Sequence, residues 1–192
     1  MHKYLRYGWF DNLDMVRHIP VGEWRGIKVS VTPTVWLFPF VFFLFRFALV
    51  AFDANLTVVA RFSDAVIFTL GVAVFTLVHA GGHMVSGLLV GSPMDELLFT
   101  ATRAVNIYHG DQSFVPGRAH VARAVGGPAA NLISVPLLYL LLPLAGSDFL
   151  AAVIASAAAT SLFAGLGSFL PLPSIDGQVI WRELLRPLRA AI

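Results

Sequence analysis

Four apolar stretches dominate the chain, at residues 35–52, 65–90, 125–145 and 149–170, each 18 residues or longer. Runs of that length leave few options. A helix rises about 1.5 Å per residue, so about 20 residues cross the ~30 Å hydrocarbon core of a bilayer. Inside lipid every backbone N–H and C=O must be satisfied within the segment, which selects helices over open strands. The bulk figures agree. Of 192 residues, 57% are hydrophobic and 12% charged, with a mean hydropathy of +0.77, too apolar for a soluble domain. The expected class is an α-helical polytopic membrane protein with about four transmembrane helices, forming one membrane-embedded domain over 1–192. There are no cysteines, which excludes disulfides and thiolate metal ligands. The formal net charge is only +2. The expected surroundings are the lipid bilayer, with no nucleic-acid partner. No internal repeat, low-complexity tract or cleavable signal peptide stands out.

The segments between the spans carry local signals. Residues 1–33 read as an interfacial segment, basic through Lys3, Arg6, Arg17, Arg25 and Lys28, with Tyr4, Tyr7, Trp9 and Trp24 suited to the headgroup boundary. Ile27, Val29 and Val31 alternate within 22–34 and predict a short strand ending before Pro33. Arg46 is the one charge in the first span, and snorkelling to an interface roughly 9 Å away is its expected behaviour. Residues 53–64 read as a short loop. In the polar 91–120 connection, 96–108 has the composition of a hairpin on the cytoplasmic side. Pro128 suits the first turn of the third helix. The fourth span is rich in Ala, Ser and Gly, so neighbouring helices can approach closely. It breaks at 170–177, LPLPSIDG, where two prolines and a glycine forbid a continuous helix. Residues 178–192 predict a short interfacial helix interrupted near Pro187, with Ile180, Leu184 and Leu188 on one side.

Charge sets the orientation. The 1–33 segment, the 91–124 connection (Arg103, Arg118, Arg123) and the tail (Arg182, Arg186, Arg189) are basic, whereas the two opposite loops hold only Arg61. Both termini are therefore expected in the cytoplasm, in a multi-pass protein of the cell membrane. The second span then runs toward the cytoplasm, with His83 seven residues before Val90. That is roughly 10 Å below the surface at about 1.5 Å per residue. The third span begins on the same side with GGPAAN at 126–131, and the fourth ends there with the break that holds Asp176.

His79 and His83 lie four residues apart inside the second span. Helical positions i and i+4 share a face, so both imidazoles can reach one metal ion. The stretch His79-Ala80-Gly81-Gly82-His83 reads as the zinc-protease pattern H-E-x-x-H with Ala80 at the glutamate position. Taken alone, such a pair also suits interhelical hydrogen bonding or axial ligation of haem or a chlorin. A catalytic zinc site takes three protein ligands and keeps a position for water. Asp176 is the best third donor, a carboxylate in a proline-stiffened break at the end of an apolar span. His109, His120, Asp95, Glu96 and Glu183 are weaker candidates.

With these motifs in this order, the chain resembles the site-2 protease family of intramembrane zinc metalloproteases. His79 and His83 match the H-E-x-x-H histidines. Residues 127–131, GPAAN, match G-P-x-x-N, and 168–177, SFLPLPSIDG, match N-x-x-P-x-P-x-x-D-G. The segment 22–36 resembles the strand before the family's first core span. The resemblance implies Zn2+ held by His79, His83 and Asp176, and cleavage of membrane-spanning segments of regulatory proteins or signal-peptide remnants. It also implies substrate contacts at Gly127, Pro128 and Asn131, the last near the oxyanion, and strands near 25–31 and 97–108 that pair with an unwound substrate. The sequence departs from the pattern twice, with Ser168 at the asparagine position and Ala80 at the general base. Ala80 leaves the ligands intact but removes proton transfer, typically worth ~10²–10⁴-fold. Three readings follow: a protease whose base has been replaced, inactive or severely impaired as written; a natural pseudoprotease acting as a membrane adaptor or scaffold; or a cofactor-binding or transport protein using His79 and His83.

Overall fold

The computed structural model describes residues 16–189. Lys3, Tyr4, Arg6, Tyr7 and Trp9 of the interfacial segment lie outside the described residues. The chain starts with a hairpin, β1 (Ile19–Trp24) and β2 (Ile27–Val31). Helices α1 (Phe38–Val50) and α2 (Val58–Leu89) follow, then a second hairpin, β3 (Glu96–Phe99) and β4 (Ala104–Ile107). Three further helices complete it: α3 (Gly117–Leu141), α4 (Asp148–Gly167) and α5 (Asp176–Arg189).

Three helices, counting 3-10 turns that extend them, are long and apolar enough to cross a membrane: Val58–Leu89, Gly117–Leu144 and Asp148–Gly167. They pack on one another, with α1 against α2 and α5 against α3. The apolar helix over Val35–Val50 is shorter. Side chains such as Leu44, Leu49, Leu77, Leu140 and Phe163 are exposed on the outside, as a lipid-facing surface requires. Local chemistry fixes the helix starts. Thr57 Oγ1 accepts from Ala60 N–H at 3.2 Å, and Ser147 Oγ accepts from Leu150 N–H at 3.2 Å.

The four strands form one sheet in the order β1-β2-β3-β4. β2 and β3 run parallel, Lys28 opposite Glu96 and Val31 opposite Phe99, across the connection made by α1 and α2. Both hairpins are antiparallel. Ile27, Met94 and Leu97 are buried with Ala80 and Met84 of α2, so the sheet docks on the helix that carries the histidines.

Several expectations change. The single strand in 22–34 is a hairpin, turned at Arg25 (φ 50) and Gly26 (φ 83), the paired positive φ values of a tight hairpin turn. Helix α2 begins at Val58, so Asp64 is helical rather than in a loop. Arg46 does not snorkel alone. Its Nε and Nη2 donate to Asp64 Oδ2 at 2.6 Å and Oδ1 at 3.1 Å, because α1 and α2 are antiparallel and bring the two side chains level. Pro128 is inside α3, not at its start, since the helix begins at Gly117. α5 continues through Pro187 to Arg189, where so few turns remain that one missing N–H does not end the helix.

Candidate metal centre

The His pair is placed by α2, one turn apart on the face that meets α3. That contact depends on small residues. A Cβ at Gly82 would meet the carbonyl of Gly126 and lie 2.5 Å from Ala130 Cβ, so the two backbones cross where neither carries a side chain. A Cβ at Gly127 would strike the Nε2 atoms of both His79 and His83. Gly127 is therefore the floor on which the imidazoles rest.

Asp176 arrives from the far end of the chain. α4 stops at Gly167, the chain turns through Pro171 and Pro173, and Ser174 takes φ 67 before α5 opens with Asp176 in its first turn. The loop is braced. Gly177 N–H donates to Ser168 C=O at 2.6 Å, and a Cβ at Gly177 would collide with the Leu170 carbonyl. Trp181 Nε1–H donates to Phe169 C=O at 2.8 Å, and Ser174 N–H to Gln178 Oε1 at 3.1 Å.

The three donors converge. His79 Nε2 is 3.0 Å from His83 Nε2 and 3.1 Å from Asp176 Oδ2, and His83 Nε2 is 3.3 Å from Asp176 Oδ1. Tetrahedral bonds of about 2.0–2.1 Å put neighbouring donor atoms about 3.3 Å apart. The spacing fits a cation of zinc's size, and the donor set, two imidazoles and a carboxylate, fits zinc chemistry. Among the described residues this is the one group of three such donors within mutual reach.

Each histidine is held from behind. His83 Nδ1 lies 2.8 Å from the Arg123 carbonyl, and His79 Nδ1 lies 2.9 Å from Asn131 Nδ2. Asn131 is 0% exposed and lines neither cavity described below. Arg123 is buried too. Its guanidinium bonds Ser92, Gln112 and His120 and stacks 4.1 Å over Tyr108, so this polar network clamps the carbonyl that orients His83.

Two cavities reach the donors from different sides. One, of about 360 Å³, is lined by Phe42, Phe75, Thr76, Ala80 and residues 103–106 of the second hairpin. Asp176 is the only carboxylate in its wall among the described residues. The other, of about 450 Å³, has Tyr108, Gln112, His120, Arg123 and Glu183 in its wall. Ala80 lines the first cavity, backed by Ile27, Met84, Met94 and Leu97.

The weaker ligand candidates are not part of the donor cluster, although His120 and Glu183 line the second cavity together with His83 and Asp176. Glu96 pairs with His18 at 3.1 Å and lies 3.9 Å from His109 Nε2. Asp95 accepts from the His109 N–H at 2.7 Å. His120 bonds Gln112 and Arg123, and Glu183 pairs with Arg182 and Arg186. Pro128 is buried inside α3, apart from both cavities. Sequence reasoning did not find the Arg123 carbonyl, and a backbone group leaves no signal in side-chain identity. It also missed Asp64, for which a signal exists: Arg46 and Asp64 sit at similar distances from the turn joining two apolar helices.

No family model matches the chain, and no curated protein matches it. A solved structure does: the site-2 protease from Methanocaldococcus jannaschii, 17% identical, over 88% of this chain and 72% of that one, with a TM-score of 0.56. The fold is similar to that of a site-2 protease. At that identity the likeness speaks for the fold, and the chemistry rests on the residues themselves.

Proposed function

We propose that this chain is an intramembrane metalloprotease domain of site-2 type that has lost its general base. In this reading His79, His83 and Asp176 hold zinc, and the domain receives a transmembrane segment of another membrane protein. It spans the membrane four times, with Val35–Val50 as the shortest crossing and both termini in the cytoplasm. The observation that carries the reading is the convergence of three donors within about one tetrahedral edge of each other, with Ala80 beside them.

Zinc bound there would supply a Lewis acid and a water of pKa about 7. The chain's own part is to position and to move protons, and here it falls short. A base must lie within hydrogen-bond reach of the water it deprotonates. The Ala80 side chain has no polar atom. Glu183 of the other cavity is paired with Arg182 and Arg186, and the cavity that Ala80 lines offers no second carboxylate among the described residues. Thr76, Ser168 and Ser174 in the same wall are not bases at neutral pH.

β4 supplies a docking edge. It is the last strand of the sheet, and its residues line the cavity that reaches the donors. Thr100 N–H bonds Arg103 C=O, and the register pairs Leu98 with Val105 and Glu96 with Ile107. Backbone groups alternate along a strand, so those of Ala104 and Asn106 point to the outer edge of the sheet, which no strand covers among the described residues. An unwound substrate segment can add there as a further strand.

Restoring the base tests the reading. Ala80→Glu, in zinc-containing liposomes with a panel of labelled single-span peptides, is expected to cut at least ~10²-fold faster than the unsubstituted chain. No cutting of any peptide at equal zinc content would favour the second reading, an adaptor that binds membrane segments without cleaving them, to which Ala80 itself points. Haem or chlorin ligation by both histidines is disfavoured. Nitrogens 3.0 Å apart cannot occupy opposite faces of one macrocycle.

A further inference from the structure

We propose that the cavity of about 450 Å³ is an anion site that takes one phosphate group between α3 and α5. The cations that build it are not metal donors, so it stands apart from the metal-site reading above.

Charge in the wall is unbalanced. Three guanidiniums line it, Arg123 of α3 with Arg182 and Arg186 of α5. The two carboxylates there do not offset them. Asp176 faces His79 and His83 in the donor cluster. Glu183 serves two cations at once: Arg182 Nε donates to its Oε1 at 2.9 Å, and Arg186 Nη1 lies 3.5 Å from its Oε2. Arg123 has no carboxylate partner among the described residues. Its Nη1 donates to Ser92 Oγ at 3.2 Å, and both Nη atoms donate to Gln112 Oε1 at 3.0 Å. Nη2 also lies 2.7 Å from His120 Nδ1, and His120 Nε2 lies 3.2 Å from the Gln112 carbonyl. A guanidinium only donates and a carbonyl only accepts, so His120 accepts at Nδ1, donates at Nε2 and is neutral. Arg123 is 5% exposed, and these partners are all uncharged. A buried charge without a counter-charge is costly, and an anion in the cavity would offset that cost.

The cations are graded in depth. Arg123 forms the floor, while the side chains of Arg182 and Arg186 are 49% and 73% exposed at the mouth. Arg182 and Arg186 are four residues apart and share one face of α5. Arg182 engages Glu183 through Nε alone among the described residues, which leaves its Nη atoms for a ligand. A carboxylate presents one edge to such forks, whereas a tetrahedral phosphate presents several and can meet more than one guanidinium at once. With the basic segments in the cytoplasm, as proposed above, the mouth lies on the side of the membrane that carries anionic headgroups. Two sources supply the group, an anionic phospholipid headgroup and free phosphate. Either would bridge α5, which carries Asp176, to α3, and so stabilise the fold.

The test titrates the full chain in neutral detergent with inorganic phosphate and with short-chain phosphatidic acid. Phosphatidylcholine of the same chain length is the control. Melting temperature is read throughout, and lipid retention by native mass spectrometry. Each titration is repeated after zinc removal and on Arg182→Gln/Arg186→Gln. The expected result is one phosphate-bearing ligand per chain and a melting temperature that rises with its concentration. Binding should weaken at least about tenfold in the double variant. Saturation by phosphatidic acid but not by inorganic phosphate names the headgroup as the source, and the reverse names the free ion. Should the double variant unfold because Glu183 loses both partners, Arg186→Gln alone decides, with the same sign. Four results would overturn the proposal: neither ligand binds, phosphatidylcholine binds as tightly as phosphatidic acid, the variant binds as tightly as the unsubstituted chain, or binding vanishes with zinc, which would put the anion on the metal. A chain that holds no zinc yet binds phosphate through these arginines would fail the metal-site reading and leave the anion site standing.

Discussion

At the scale of single residues, the site depends as much on what is missing as on what is present. Gly127 has no Cβ because one would lie against both imidazole Nε2 atoms. In the middle of α3, alanine is the better helix former by roughly 0.5–1 kcal/mol. Gly127→Ala should therefore leave the helical circular dichroism unchanged and lower zinc affinity by about tenfold or more, read by chelator competition. Equal affinity would mean that the imidazoles do not rest on this residue. The His pair and Asp176 were legible in the sequence. A four-residue spacing puts two rings on one helical face, and a Pro-rich break can carry a carboxylate back to them. The orientation of the rings was not legible. His83 takes its direction from a backbone carbonyl at Arg123, and His79 from an amide 52 positions away.

Secondary-structure elements show a similar division. The apolar runs located α2, α3 and α4, since their length alone demands helices. The sheet was harder to read. β1 contains Pro20 and Gly22, poor strand formers, and exists through its pairing with β2. The parallel pairing of β2 with β3 joins segments separated by two helices, which local patterning cannot encode. Helix pairing hid the Arg46–Asp64 bridge. That bridge yields a prediction with a sign. Asp64→Leu alone leaves Arg46 without its carboxylate and should lower stability by about 1 kcal/mol or more, whereas Arg46→Leu/Asp64→Leu should recover most of the loss. Thermal unfolding in detergent reads this as a double-substitution cycle. A double variant less stable than both singles would show that the two side chains contribute independently rather than as a pair. At the α2–α3 crossing, Gly82→Val forces a branched side chain against Gly126 and Ala130, and should destabilise by about 1–3 kcal/mol in the same assay.

For the whole molecule, the chain closes a donor cluster between two cavities, with β4, an edge strand of the sheet among the described residues, beside it. If β4 receives an unwound segment, Asn106→Pro removes an outward-facing donor at a position where an edge strand tolerates proline. Capture of a labelled single-span peptide should weaken while zinc content stays the same. Unaltered capture would move docking elsewhere, for instance to β1. Reporter domains fused at both ends should be active only in the cytoplasm if the basic segments set the orientation. The central claim, that the chain assembles a metal site without a base, is tested most directly by zinc content. Metal analysis of the purified protein should find one zinc per chain, lost in each of His79→Ala, His83→Ala and Asp176→Ala and retained in Ala80→Glu. No zinc in the unsubstituted chain, or zinc that survives the loss of Asp176, would contradict the account.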